Sequence, residues 1–195
     1  MRETRTNPKQ PKLDVYVVGE GITEQYYFTH LRKLYNLKYK IQPRFFGNTS
    51  IREIDELVRQ LVSADMFVIC VFDLDTSESE KAEKEKLDKF ISCYKDNENV
   101  IICTSLPSIE YWFLIHYKDT NKYFNASKEV EKELIKHIKN YEKTKKFLEK
   151  EKWVKDLCSN NKLQTAIERA KKNTDKTGSY TNIYEAIERF IGKGN

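Results

Sequence analysis

Glu20, Glu24, Asp73 and Asp75 are the residues whose types and spacing could do chemistry in this chain. The stretch VVGEGITEQYYF puts Glu20 and Glu24 where a β-branched apolar run gives way to a helical pattern. A second apolar run, VICVFDLD, ends on Asp73 and Asp75. Two residues apart in extended backbone, those aspartates project to one face. Carboxylates gathered so closely repel one another and raise their own pKa values unless a cation neutralises them. The fitting cation is a hard divalent ion, Mg2+ or Mn2+; Mg2+ keeps most of its waters and takes one or two carboxylates plus phosphate oxygens. Two such ions about 4 Å apart stabilise the attacking and leaving oxygens of an in-line phosphoryl displacement. Simpler roles are open to the same residues. An acid in a first helical turn, Glu24 above all, complements the helix dipole, and an Asp-Leu-Asp after a strand also occurs as a solvated turn.

The elements that must position these acids follow from periodicity. LDVYVVGE has the composition of a strand buried on both faces, and Tyr27, Leu31 and Leu34 follow at helical spacing. YKIQPRFFG alternates as a second strand, which Pro43 restricts to an edge or a bulge. Ser50 is an N-cap candidate for a helix carrying Ile51, Ile54, Leu57, Val58 and Leu61. MFVICVFDLD is a third strand, Ser77 to Asp96 a charged helix, and NVIICTSLP a further buried strand stopped by Pro107. After Ser108 the strand signal disappears, and helices are expected at Ile109 to Tyr117, Lys128 to Leu157, Leu163 to Lys172 and Asn182 to Phe190, with KKNTDKTGSYTN as a loop. Strands alternating with helices imply an α/β fold, a mainly parallel sheet with helices on both faces and a helical C-terminal extension. In such a sheet, ligand sites form outside the carboxyl ends of the strands, where the acids fall.

Bulk composition narrows the class. The chain has 195 residues, enough for one sizeable core, and 33% of them are charged. Its longest apolar runs are far shorter than the ~20 residues of a membrane-spanning helix. MRETRTNPKQPK lacks an apolar signal core, so a polar N-terminal arm and a cytoplasmic location are expected. The net charge of +5 favours a polyanionic partner only weakly. Arg169, Lys171 and Lys172 form a basic cluster able to hold backbone phosphates. By contrast, YEKTKKFLEKEKW pairs acids and bases at helical spacings and reads as an exposed helix laced with weak ion pairs. Trp112, Phe113 and Ile115 read as core, His116 as a packed histidine that orients a neighbouring group, and His30 and His137 as surface residues. The four cysteines form no CxxC pair, so neither disulfides nor zinc are expected.

The order VVGEG then FDLD resembles the Toprim catalytic domain of topoisomerases, primases and overcoming-lysogenization-defect nucleases. SLPSIEYWFLIHY, LQTAIERAKK and TNIYEAIERF are similar to the RloB family of abortive-infection and restriction-linked proteins, and the likeness extends from Leu13 onward. This resemblance implies a Toprim-like nuclease of phage defence, encoded beside an ATPase of the ABC/AAA type. It makes Glu20, Asp73 and Asp75 the metal ligands and adds Glu110 as a further acid that, with Glu24, completes a second metal or positions water. Two departures stand out: Tyr180 occupies a place where proline is expected, and no lysine beside the aspartate pair offers itself as a transition-state cation. The implied organisation is an arm over 1–12, a Toprim-like α/β core over 13–120 and a helical part over 121–195 packed on it. The alternative is a non-catalytic adaptor or sensor subunit of an ATPase complex.

Overall fold

The computed structural model describes residues 15–19, 21–37, 41–45, 50–74, 81–173 and 177–191. Its first half alternates strand and helix: β1 (Val15–Gly19), α1 (Ile22–Leu34), β2 (Ile41–Phe45), α2 (Ile51–Ser63), β3 (Phe67–Asp73), α3 (Lys81–Tyr94) and β4 (Val100–Leu106). The sheet order is β2-β1-β3-β4-β5, with β1 to β4 parallel and the two-residue β5 (Tyr180–Thr181) antiparallel to β4. Pro43 lies in β2, at the sheet edge, where a missing N–H is tolerated. Ser50 caps α2 in a capping box, its hydroxyl accepting from the Glu53 amide while the Glu53 carboxylate accepts from the Ser50 amide.

The period of two in β3 divides the core. Phe67, Ile69 and Val71 join one apolar cluster, which α1 and the C-terminal helices cover. Val68, Cys70 and Phe72 join another, against Ile54 and Val58 of α2 and Leu87, Phe90 and Tyr94 of α3. Asp73 continues the Phe67–Ile69–Val71 series, so strand geometry alone assigns it to the α1 side.

Beyond β4 come α4 (Ile109–Leu114), α5 (Ser127–Leu134), α6 (Lys145–Leu148), α7 (Lys152–Leu157), α8 (Lys162–Lys172) and α9 (Ile183–Ile191). Two sequence expectations are corrected here. The continuous helix expected from Lys128 to Leu157 is three helices, because Asn140 takes a left-handed conformation (φ 59°) and the chain turns inward to bury Tyr141. The strand signal also does not end at Ser108: β5 zips onto β4, and Asn182 extends the pairing with its side chain, accepting from the Thr104 amide at 2.6 Å and donating to the Ile102 carbonyl at 2.9 Å. Two residues are too few to show a period.

His30 is likewise not on the surface. It is buried under α6, with its Nε2 2.9 Å from the Leu148 carbonyl oxygen and its ring edge-on to Trp153. Trp112, Phe113 and Ile115 are fully buried, as core residues should be, and Trp112 Nε1 donates to the Tyr27 hydroxyl at 2.8 Å. Gly178 is needed for close approach, since a Cβ there would lie 1.8 Å from the Asn121 carbonyl oxygen. No helix among the described residues is long and apolar enough to cross a membrane.

Candidate functional site

Three carboxylates reach the carboxyl edge of the sheet from separate elements. Asp73 ends β3, Glu24 lies in the first turn of α1 after β1, and Glu110 lies in the first turn of α4 after β4. Glu24 and Glu110 are buried, whereas Asp73 keeps partial exposure. Asp73 Oδ1 accepts from the Ile109 amide at 2.9 Å, satisfying an N–H that opens α4. Its carboxyl is nonetheless held well above the usual aspartate range, first by burial and then by the charges of Glu24 and Glu110, with Lys143 and the Ile109 amide only partly offsetting them. A chain that keeps such a group ionised needs a further cation or carries a standing cost.

Glu24 owes its place to Gly21. That residue opens α1 in extended conformation without a capping side chain, and a Cβ on it would come within 2.9 Å of Glu24 Oε2. The bare backbone lets the carboxylate fold back over the start of the helix, where the dipole favours negative charge.

Glu110 is engaged on both oxygens. Ser108 Oγ donates to Oε2 at 2.6 Å, the Tyr141 hydroxyl donates to Oε1 at 2.8 Å, and Lys143 Nζ lies 3.0 Å from Oε2. Ser108 precedes α4 but makes no cap with its side chain, because its hydroxyl serves Glu110 instead. Lys143 also reaches Glu131 Oε1 at 3.3 Å. Burial opposes its charge, yet Glu110, Asp73 and Glu131 together hold the ammonium above the ordinary lysine range. Burial and the Glu110 charge push the Tyr141 hydroxyl well up, so it remains a proton donor.

Sequence reasoning missed Lys143 and Tyr141. Both lie in the charged run read as a solvated helix, and the available signal was its interruption by Tyr141, Phe147 and Trp153, residues too large and apolar for a wholly exposed face. Lys143 supplies a cation beside the acids, which no lysine next to the aspartate pair could do.

The remaining expected residues divide. Glu20 and Asp75 lie outside the described residues. Among the described ones, no three His, Cys, Asp or Glu side chains stand as a group able to hold a metal ion. Arg169 donates to the Ile115 carbonyl at 2.8 Å, Lys171 pairs with Glu188 of α9 at 2.6 Å, and Lys172 is exposed. His116 is buried, and the charges that act on it are those of Lys162, Arg169 and Asp156. Its Nδ1 donates to the Trp112 carbonyl at 2.8 Å, and burial lowers its pKa to about 3, so the ring is neutral.

A search for similar curated proteins and a search for similar solved structures each returned no match. The family model described as RloB-like protein matches residues 15–190, and the chain belongs to that family.

Proposed function

We propose that this protein is a divalent-metal-dependent nuclease of a phage-defence or abortive-infection system, cutting a phosphodiester bond of DNA or RNA and working with a partner ATPase. One observation carries the reading. Glu24, Asp73 and Glu110 come from three separate segments to one sheet edge, and the resulting repulsion raises the Asp73 pKa. Folding alone gives no reason to gather like charges there, whereas a site that must bind cations does. Membership of the RloB-like family supports the defence setting.

The proposed metal is Mg2+ or Mn2+ held by Asp73 together with Glu20 and Asp75, which lie outside the described residues; the Glu24 charge acts on Asp73 at the same edge. Glu110 fits a different task, because its oxygens already serve Ser108, Tyr141 and Lys143. A bound ion would supply Lewis-acid neutralisation of the scissile phosphate. Within the protein, Glu110 orients Lys143, and the Lys143 ammonium meets charge developing on the phosphoryl oxygens. Asp73, anchored by the Ile109 amide, keeps its carboxylate aimed at the same edge.

The test is a cleavage assay of the full chain, alone and with a neighbouring ATPase, on supercoiled DNA, single-stranded DNA and structured RNA in Mg2+ or Mn2+. Cleavage that Glu20→Gln and Asp75→Asn each abolish is the expected result. Activity surviving both substitutions would overturn the assignment. Absence of cleavage throughout, with phage protection intact in the acid variants, would instead make the protein an adaptor of the ATPase.

A further inference from the structure

The proposed reaction requires a surface that holds a polyanion against the acidic edge, and we infer that the segment from Lys139 to Lys150, led by Lys145 and Lys146, is the nucleic-acid backbone track. This inference rests on the nuclease reading. Between Lys139 and Lys150 stand five lysines and two glutamates, so twelve residues hold +3 of a whole-chain net charge of +5. The fold fixes where that charge lies. Tyr141 and Lys143 bond to Glu110 at the acidic edge, while one helical segment further on the Leu148 carbonyl meets His30 in α1, and Leu148 itself is buried. Both ends of the segment are pinned, so the chain between them descends the flank of α1 directly from the site. Consecutive residues advance at most about 3.6 Å, which keeps Lys145 within ~7 Å of Lys143 along the backbone.

Lys145 and Lys146 differ from the lysines held in ion pairs. Lys33, Lys118, Lys136, Lys155, Lys162 and Lys171 all have carboxylate partners. Lys145 and Lys146 are exposed and, among the described residues, have none. Their charge is therefore available to phosphates, whereas Lys171 must leave Glu188 and Arg169 must leave the Ile115 carbonyl before either could serve. Lys145 and Lys146 combine unpaired charge with attachment next to the site through Lys143 and Leu148, which Arg169 and Lys171 do not. Phosphate contacts of this kind position the strand without reading its sequence.

The experiment measures binding of a labelled single-stranded oligonucleotide of about 16 nucleotides to the full-length protein, with Ca2+ as the divalent ion, across a range of salt concentrations. Lys145→Ala/Lys146→Ala should weaken binding about tenfold at ~0.1 M salt and reduce the slope of log K against log salt by about 0.7 for each phosphate no longer neutralised. In the cleavage assay the same variant should raise KM and leave kcat unchanged. Lys171→Ala/Lys172→Ala should retain the wild-type slope. A wild-type protein that binds the oligonucleotide, with a slope that falls in the Lys171/Lys172 variant and not in the Lys145/Lys146 variant, would overturn the track and leave the nuclease reading standing. Failure of the wild-type protein to bind any oligonucleotide, or a preference for anionic lipid vesicles over it, would overturn both. A fall in kcat without a change in KM would overturn the track as a binding surface.

Discussion

Asp73 concentrates the electrostatic argument in one side chain. Its raised pKa means that ionising it at neutral pH opposes folding, and a bound cation would reverse the sign of that contribution. Adding Mn2+ or Mg2+ should therefore raise the melting temperature, by several degrees at a hundredfold excess over Kd, where the linkage is worth about 2.7 kcal/mol. Asp73→Asn should abolish this rise while matching the wild type or exceeding it in metal-free buffer, since an amide oxygen can still accept from Ile109. An ion-induced rise that persists in Asp73→Asn, measured by calorimetry, would remove Asp73 from the site. Lys143 poses the complementary test. Lys143→Met leaves Glu110 buried without its cation, but solvent reaches the lysine, so the destabilisation should be about 1–2 kcal/mol, less than the ~3–5 typical of a fully buried pair. Adding Glu110→Gln should recover part of that stability, because neutralising the partner removes the uncompensated charge. Strict additivity of the two in denaturant titrations would mean that the 3.0 Å ion pair carries no coupling.

The helices that bring these residues together were unequally legible in the sequence. β3 could be read because six successive apolar residues, several β-branched, end on an acid, and α2 because an N-cap serine precedes a regular apolar stripe. Asp73 was visible for the same reason, as the end of an unmistakable strand. The Tyr141–Lys143 turn was not, because one Asn in left-handed conformation and one inward tyrosine are weak signals inside a run where Lys and Glu satisfy helical pairing rules equally well. Contacts set by tertiary packing, such as Glu110 with Tyr141, leave no local period to detect. His116 in the turn after α4 shows what such packing does to titration. Burial first, and then the charges of Lys162 and Arg169 of α8, lower its folded pKa to about 3, against about 6.5 in an unfolded chain. Between those values the unfolded state binds the extra proton, so stability from this group is complete above about pH 6.5 and is lost as pH falls toward 3. Urea titrations from pH 7 to pH 4 should show the wild type losing stability faster than His116→Gln, by up to about 1.4 kcal/mol per pH unit. Equal slopes would show that the imidazole gains its proton without unfolding.

Of the two apolar clusters that flank the sheet, the one on the α1 side is shared by the N- and C-terminal parts, which decides how they depend on each other. Val15 and Val17 of β1, Ile69 of β3, Trp112 and Phe113 of α4, Trp153 of α7 and Phe190 of α9 belong to a single cluster. The division between an α/β core over 13–120 and a helical part over 121–195 therefore crosses a continuous core. Trp153 is the clearest joint, with ring centroids 5.1 Å from Phe113 and 6.2 Å from Tyr27, and its Nε1 donating to the Leu148 carbonyl at 3.1 Å. The same packing holds α6 and α7 on α1, and so holds Tyr141 and Lys143 over Glu110. Stability and site assembly are thus one property of this molecule. Calorimetry should accordingly give a single transition with calorimetric and van't Hoff enthalpies in agreement. Trp153→Ala should cost about 3–5 kcal/mol and move that transition down without dividing it, because the deleted ring lies at the junction of both parts. Two resolved transitions, with the upper one insensitive to Trp153→Ala, would show instead that the sheet folds without its helical cover and that the acidic edge can exist before Lys143 reaches it.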